Sequence, residues 1–276
     1  MIPLTVFGAN GFIGRAVVAH ARRSGRAVNA ITRDNLPGFL IAQPEAGDVI
    51  YCLGLTADFR SRPLDTAEAH VGLLARLLAA GRFRSFLYLS STRVYARCET
   101  TREDVSIPVQ PNSRSDLYNI TKLAGEALCL SDGRNTVRVA RMSNVFGAGM
   151  HRESFLGQIL AEGAASGRVT LHQSLHSAKD YIAITEVVPA LINISRKGAA
   201  RVYNVASGAN TTHDAIGRTL SAALGWQITA RDNAVAVRFP RIDIGRLAME
   251  FAAPSNTILD ELPRLAQALV PEAVTC

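Results

Sequence analysis

The chain has 276 residues, which suits one large α/β domain or such a domain with a smaller lobe grafted on. Hydrophobic residues make up 48% of it and charged residues 19%, a balance that supplies a large core and excludes a disordered chain. The net charge of +7 comes from scattered arginines, densest in "ARRSGR" (Ala21–Arg26); with no basic stripe interleaved with aromatics, no nucleic-acid partner is expected.

The apolar run "LTVFG" (Leu4–Gly8) predicts a buried strand, and "FIGRAVVAHARRSG" predicts a helix with Ile13, Val17, Val18 and Ala21 on one face. Further strands are expected at Ala27–Thr32, Asp48–Gly54, Phe86–Ser91 and from Thr136 onward. Helices are expected at Thr66–Gly81 and Ser115–Leu130. This alternation argues for a parallel sheet covered on both faces. After Gly147 the pattern mixes short strands with helices, as in "VTLHQ", "ITEVVPALINIS", "ARVYNVAS" and "HDAIGRTLSAALG". The expected architecture is a Rossmann-type doubly wound parallel sheet with a small mixed α/β C-terminal substrate lobe. Residues 1–147 plus about 180–200 form the first unit, and about 148–179 plus 201–276 the second.

"GANGFIG" places Gly8, Gly11 and Gly14 directly after a strand and before a helix. Gly8 permits a tight turn, Gly11 lets the backbone approach a pyrophosphate, and Gly14 lets the helix pack close. The helix start then faces the phosphates. The second strand ends "AITRDN", with Arg33 at the tip and Asp34 just beyond. A guanidinium there pairs with a 2′-phosphate, which favours NADP over NAD.

Tyr118 and Lys122 stand four apart on a predicted helix and share a face; Lys122 is one of only three lysines. A lysine cation beside a phenol favours the phenolate over its ordinary value near ~10. Such a phenol can exchange a proton with an alcohol while hydride moves at the same carbon. Lysine can also hold ribose hydroxyls. Ser91, ending the strand in "FLYLSSTRVY", is placed to bond the same substrate hydroxyl.

The four cysteines (Cys52, Cys98, Cys129 and Cys276) share no metal-ligand or disulfide spacing. No metal is expected, and a reducing, cytoplasmic setting is. The N-terminus lacks the basic region of a signal peptide, and no apolar run reaches the length of a membrane span.

Together "GANGFIG", "DVIYCLG", "FLYLSSTRVY", "YNITKLAGE", "VARMSNVFGAG", "KDYIAITEVVPAL" and "YNVASG" resemble the extended short-chain dehydrogenase/reductase family, which includes nucleotide-sugar epimerases, dehydratases and ketoreductases. The resemblance implies Tyr118 as acid/base, Lys122 as its partner and Ser91 as the third catalytic group. It implies cofactor contacts from Gly8, Asn10, Gly11, Phe12, Ile13, Gly14, Arg33, Leu53, Gly54 and Lys122. For the substrate it implies Thr92, Asn144, Lys179 near a diphosphate, and Arg238 or Arg241. A nucleotide-sugar substrate and a homodimer follow from the same resemblance.

Three departures matter. The Asp-Glu pair of sugar 4,6-dehydratases is replaced by Thr92 and Arg93, which argues against 4,6-dehydration. His70 stands for the asparagine of "N-V-x-G-T", and a structural role is expected for it. About sixteen residues separate the second strand from "DVIYC", so a helix or strand is expected to be missing there. The favoured activity is 4-ketoreduction with NADPH. A 4-epimerase with tightly held NAD and a non-catalytic NAD(P)-binding sensor are the alternatives.

Overall fold

The computed structural model describes residues 2–55 and 59–270. Strand β1 (Leu4–Phe7) leads through the glycine turn into helix α1 (Phe12–Arg23), then strand β2 (Val28–Ile31), helix α2 (Leu36–Ala42) and strand β3 (Asp48–Tyr51). Helix α3 (Pro63–Ala67) runs through a π-helical turn at Glu68–Gly72 into α4 (Leu73–Ala80). Strand β4 (Ser85–Ser91), helix α5 (Leu117–Ser131) and strand β5 (Val137–Met142) follow.

The later elements are β6 (Asn144–Phe146), α6 (Phe155–Ser166), β7 (Arg168–Leu171), β8 (Ala178–Ala183), α7 (Ile184–Lys197) and β9 (Val202–Val205). Last come β10 (Asn210–Thr212), α8 (His213–Leu224), β11 (Gln227–Ala230), α9 (Gly245–Glu250) and α10 (Ile258–Gln267).

Six parallel strands in the order β2-β1-β3-β4-β5-β9 form the large sheet. Alternate side chains leave opposite faces, as strand geometry requires. Leu4, Val6, Ile50, Leu87 and Leu89 pack with α1 and α7. Phe7, Val49, Tyr51, Phe86 and Tyr88 pack with α4 and α5. Both faces are therefore covered, and the Rossmann-type expectation holds.

Residues 32–47 contain α2 and no strand. The element missing from the short connection is thus a strand, and α2 remains, with Phe39 edge-on to Phe7 at 5.3 Å between ring centroids. The chain moves from β1 outward to β2 and then crosses to β3 on the other side of β1. This reversal opens a crevice at the carboxyl ends of β1 and β3.

The smaller lobe joins a three-stranded sheet, β10-β8-β6, to the pair β11-β7. Helices α6, α8 and α10 close its own core around Leu160, Leu220, Trp226 and Leu262. The boundary expected near residue 201 needs correction. β9 is the edge strand of the large sheet, and Leu247 of α9 joins the core under α7. β9 reads as strand in either setting, so its sequence alone did not tell which sheet it enters. α7 does return to the large sheet, packing on α1.

The opposite end of the sheet is clamped by Asp48, whose side chain is fully buried. It accepts from Arg84 Nε and Ser85 Oγ, each at 2.8 Å, and pairs with Arg26. Burial pushes its carboxyl up, but these donors outweigh burial and hold it below the ordinary carboxylate value. We expect Asp48→Asn to lower stability at pH 7 by roughly 2–3 kcal/mol in urea unfolding, Arg84 being half exposed. The folded pKa is depressed, so this advantage is complete above the unfolded value near ~3.9 and shrinks as pH falls through the folded one. A gap between wild type and variant that does not narrow in acid would refute the clamp.

Candidate active site

At the end of β1, Gly8 takes a positive φ of 79° and its carbonyl accepts from the Gly11 amide at 2.9 Å. A Cβ on Gly14 would lie 2.2 Å from that carbonyl oxygen, so only glycine lets α1 start this close to the strand. Gly11 caps α1 without a side-chain bond, and Phe12, Ile13 and Gly14 line the crevice. Amides at an uncapped helix start beside a narrow turn suit a pyrophosphate. Leu53 and Gly54, just past β3, form the facing wall. Asn10 is exposed beside the turn, its carbonyl accepting from Arg15. Arg33 is exposed past β2, in a turn fastened by Asn35 Oδ1, which accepts from the Thr32 amide at 2.7 Å. Arg33 does not line the crevice.

The crevice continues along the ends of β4 and β5 as a cavity of about 660 Å³. Ser91 ends β4, and its hydroxyl accepts from the Arg93 amide at 3.2 Å; Ser91 and Tyr118 line the same stretch of the crevice. Tyr118 is 5% exposed, Lys122 4%. The Lys122 ammonium donates to the Leu89 carbonyl at 2.8 Å and lies 5.9 Å from the Tyr118 ring centre. The three residues expected to be catalytic are therefore brought together.

The electrostatics differ from expectation. Burial raises the Tyr118 phenol above its ordinary value, against the Ser91 hydroxyl and the charge of Arg93. Burial also pulls Lys122 down to about 7, against the charges of Glu126 and Cys52. The lysine therefore does not hold the phenol low in the free protein. Desolvation acts on both groups, and the lysine is tied to a backbone carbonyl rather than to the phenol oxygen.

His70 is fully buried and edge-on to Tyr118, with ring centroids 5.4 Å apart. Its Nδ1 lies 2.8 Å from Thr121 Oγ1, which itself donates to backbone carbonyls of Leu117 and Tyr118. Nδ1 thus carries the hydrogen and Nε2 is a bare acceptor. A Cβ on Gly54 would lie 3.0 Å from that Nε2 and 3.2 Å from Lys122 Nζ. His70 therefore borders the site, a placement that sequence reasoning assigned only to structure.

Thr92 lines the crevice but its hydroxyl donates to the Met142 carbonyl at 3.3 Å. Asn144 and Lys179 line the lobe side; Asn144 Nδ2 donates to the Asp180 carbonyl at 2.7 Å, and Lys179 Nζ lies 4.8 Å over the Phe155 ring. Arg238 is corrected: its backbone bridges Ala178, its side chain is exposed, and Val237 and Phe239 face the crevice. Alternation along extended backbone turns Arg238 away when its neighbours point in. Arg241 also turns elsewhere, onto the Gly208 carbonyl. Missed by sequence reasoning was Arg60, which joins Arg93 at the Tyr118 end. Among the described residues no cluster of His, Cys, Asp or Glu is placed to hold a metal, and no helix is long and apolar enough to cross a membrane.

The family model "NAD dependent epimerase/dehydratase family" matches residues 4–206, from β1 to the end of β9. The chain belongs to this family. A search of curated proteins gives no match. Among solved structures, the chain is similar to RMD from Pseudomonas aeruginosa complexed with NADPH, at 23% identity and a TM-score of 0.80, covering 98% of this chain and 99% of that one. It is similar to UDP-glucuronic acid 4-epimerase from Bacillus cereus in complex with UDP-glucuronic acid and NAD, at 17% identity and TM-score 0.80, covering 97% and 100%. It is also similar to UDP-N-acetylglucosamine 4-epimerase from Methanobrevibacter ruminantium M1 in complex with UDP-N-acetylmuramic acid, at 17% identity and TM-score 0.80, covering 98% and 97%. At these identities the likeness is one of fold.

The buried lysine makes a testable prediction about stability. Its folded pKa is about 7 against 10.5 for a free lysine. Between those values the unfolded chain holds a proton that the folded chain has released, so stability rises with pH across that window. In ligand-free protein, the stability of wild type relative to Lys122→Met is expected to rise from pH 7 to 10. A flat difference would show that Lys122 titrates normally and is not desolvated.

Proposed function

We propose that this protein is an NAD(P)-dependent oxidoreductase acting on the sugar of a nucleotide sugar, with Tyr118 as its acid/base group and reduction of a 4-keto sugar as the favoured reaction. The observation that carries it is one crevice lined by Ser91, by the buried Tyr118 and Lys122, and by the glycine turn. The turn would hold the pyrophosphate, and Lys122 would reach the ribose. When bound, the nicotinamide supplies the hydride for the carbonyl carbon.

This chain's own residues handle the oxygen. Ser91 donates to the carbonyl oxygen and orients it. Tyr118 Oη delivers its proton to that oxygen as hydride reaches the carbon, completing the carbinol. The raised pKa of the phenol keeps Tyr118 protonated at neutral pH, which suits a proton donor and therefore the reducing direction. Arg33, exposed past β2, supports NADPH as the donor. The nucleotide-sugar substrate rests on the family and on the ligands named for the similar structures.

Tyr118→Phe is expected to bind cofactor normally and to lose at least ~100-fold in turnover. Near-normal turnover would remove Tyr118 from the chemistry. Arg33→Ala is expected to weaken NADPH binding more than NADH binding; equal effects would remove the argument for NADP. One NAD retained per chain through purification would favour a 4-epimerase, whose cofactor is recycled on the protein, over a reductase that exchanges it.

A further inference from the structure

Two guanidinium groups stand at the reacting end of the crevice. Arg93 lies 5.4 Å from the Tyr118 ring centre and 5.1 Å from that of Phe59, and Arg60 lies 4.5 Å over the same Phe59 ring. Both line the cavity. Among the described residues, Arg93 donates to the Ser115 carbonyl at 3.3 Å and Arg60 to Ser115 Oγ at 3.2 Å. Each guanidinium carries five N–H donors in all. Among the described residues no carboxylate pairs with either one. Nearby Asp116 already holds Arg97, the Gln110 amide and Asn119.

A half-buried guanidinium with idle donors and a second cation beside it is unfavourable unless an anion completes it. Burial and the charge of Arg60 both lower the pKa of Arg93, and burial, with the charge of Arg93 second, lowers that of Lys179. Asp180, the acid that lines the same cavity, does not neutralise them. Its carboxylate accepts from the amides of Ser207, Gly208 and Ala209 and from the Ser207 hydroxyl.

Position separates these charges by role. Lys179 belongs to the lobe wall, away from the turn. Arg93 and Arg60 belong to the end where Tyr118 and Ser91 meet the reacting carbon, which is the sugar and not its diphosphate. We infer that the sugar itself carries a carboxylate, as in a uronic acid, and that Arg93 and Arg60 bind it. This inference rests on the nucleotide-sugar reading above. The planar forked donors of Arg93 match the two oxygens of a carboxylate. The Phe59 and Tyr118 ring centres lie 5.1 and 5.4 Å from that fork. Arg93 is then a specificity residue, selecting the acid over the neutral sugar.

The test is calorimetry on NADP-loaded protein with matched acid and neutral probes on UDP, dTDP and GDP carriers, such as UDP-glucuronic acid against UDP-glucose. For the carrier that binds, the acid is expected to bind at least ~10-fold more tightly, the scale of a charge-assisted bond. In Arg93→Gln the ratio of acid to neutral affinity is expected to fall at least ~10-fold. Arg93 packs on two rings, so the exposed Arg60→Gln serves as a second variant, with a smaller fall in the same ratio. A neutral sugar that binds as well as the acid, or a ratio unchanged in both variants, overturns the inference and leaves the nucleotide-sugar reading standing. Failure of every nucleotide sugar to bind, with dinucleotide binding intact, overturns that reading and the inference with it.

Discussion

The site depends on how closely α5 approaches the sheet. At Gly125 a Cβ would lie 2.5 Å from the Tyr88 hydroxyl and 2.7 Å from the His70 carbonyl. The helix therefore rests directly on β4 and on the π-helical turn that carries His70. One turn upstream this contact places Lys122 over the Leu89 carbonyl, and two turns upstream it places Tyr118 in the crevice that Ser91 also lines. A larger residue at 125 would lift all of these groups together. Glu126 anchors the same helix from its next position, through a buried pair with Arg141. Such a pair adds little net stability, but breaking it leaves a buried charge, so it fixes the helix in one place.

That close packing has an electrostatic consequence. It desolvates Tyr118 and Lys122 together, and desolvation makes the neutral phenol and a weakly basic amine the favoured forms in the free protein. The arrangement is thereby prepared to give a proton rather than to take one. The same burial leaves His70 neutral, with one ring nitrogen engaged by Thr121 and the other facing the lysine. The reacting end also carries the two arginines, Arg60 and Arg93. The chemistry and the selectivity proposed for the crevice come from one feature, a helix seated tightly on a sheet end.

Much of this was legible in the chain. The spacing of Gly8, Gly11 and Gly14 named the turn because strand and helix periodicities flank it. The four-residue spacing of Tyr118 and Lys122 put them on one helix face, and Ser91 was legible as a strand end. The short gap before β3 announced that a helix or strand was missing, without saying which. Other features depend on contacts between distant segments. The sheet that β9 joins is set by β5, not by its own residues. Arg238 looked like a ligand by position, but the phase of a bridged extended segment turned it out. The pKa of Tyr118 depends on how deeply α5 is buried, which no local pattern reports. Arg60 becomes notable only when folding brings it beside Arg93.

The measurement that tests the central claim most directly is transfer of deuterium. The protein is incubated with NADPH deuterated at the nicotinamide C4 and a nucleotide-linked 4-keto sugar, and the sugar is analysed by mass spectrometry. The account predicts one deuterium on the carbinol carbon, delivered from one face of the nicotinamide only. A protein that binds both molecules yet leaves the sugar unlabelled from either face would contradict it.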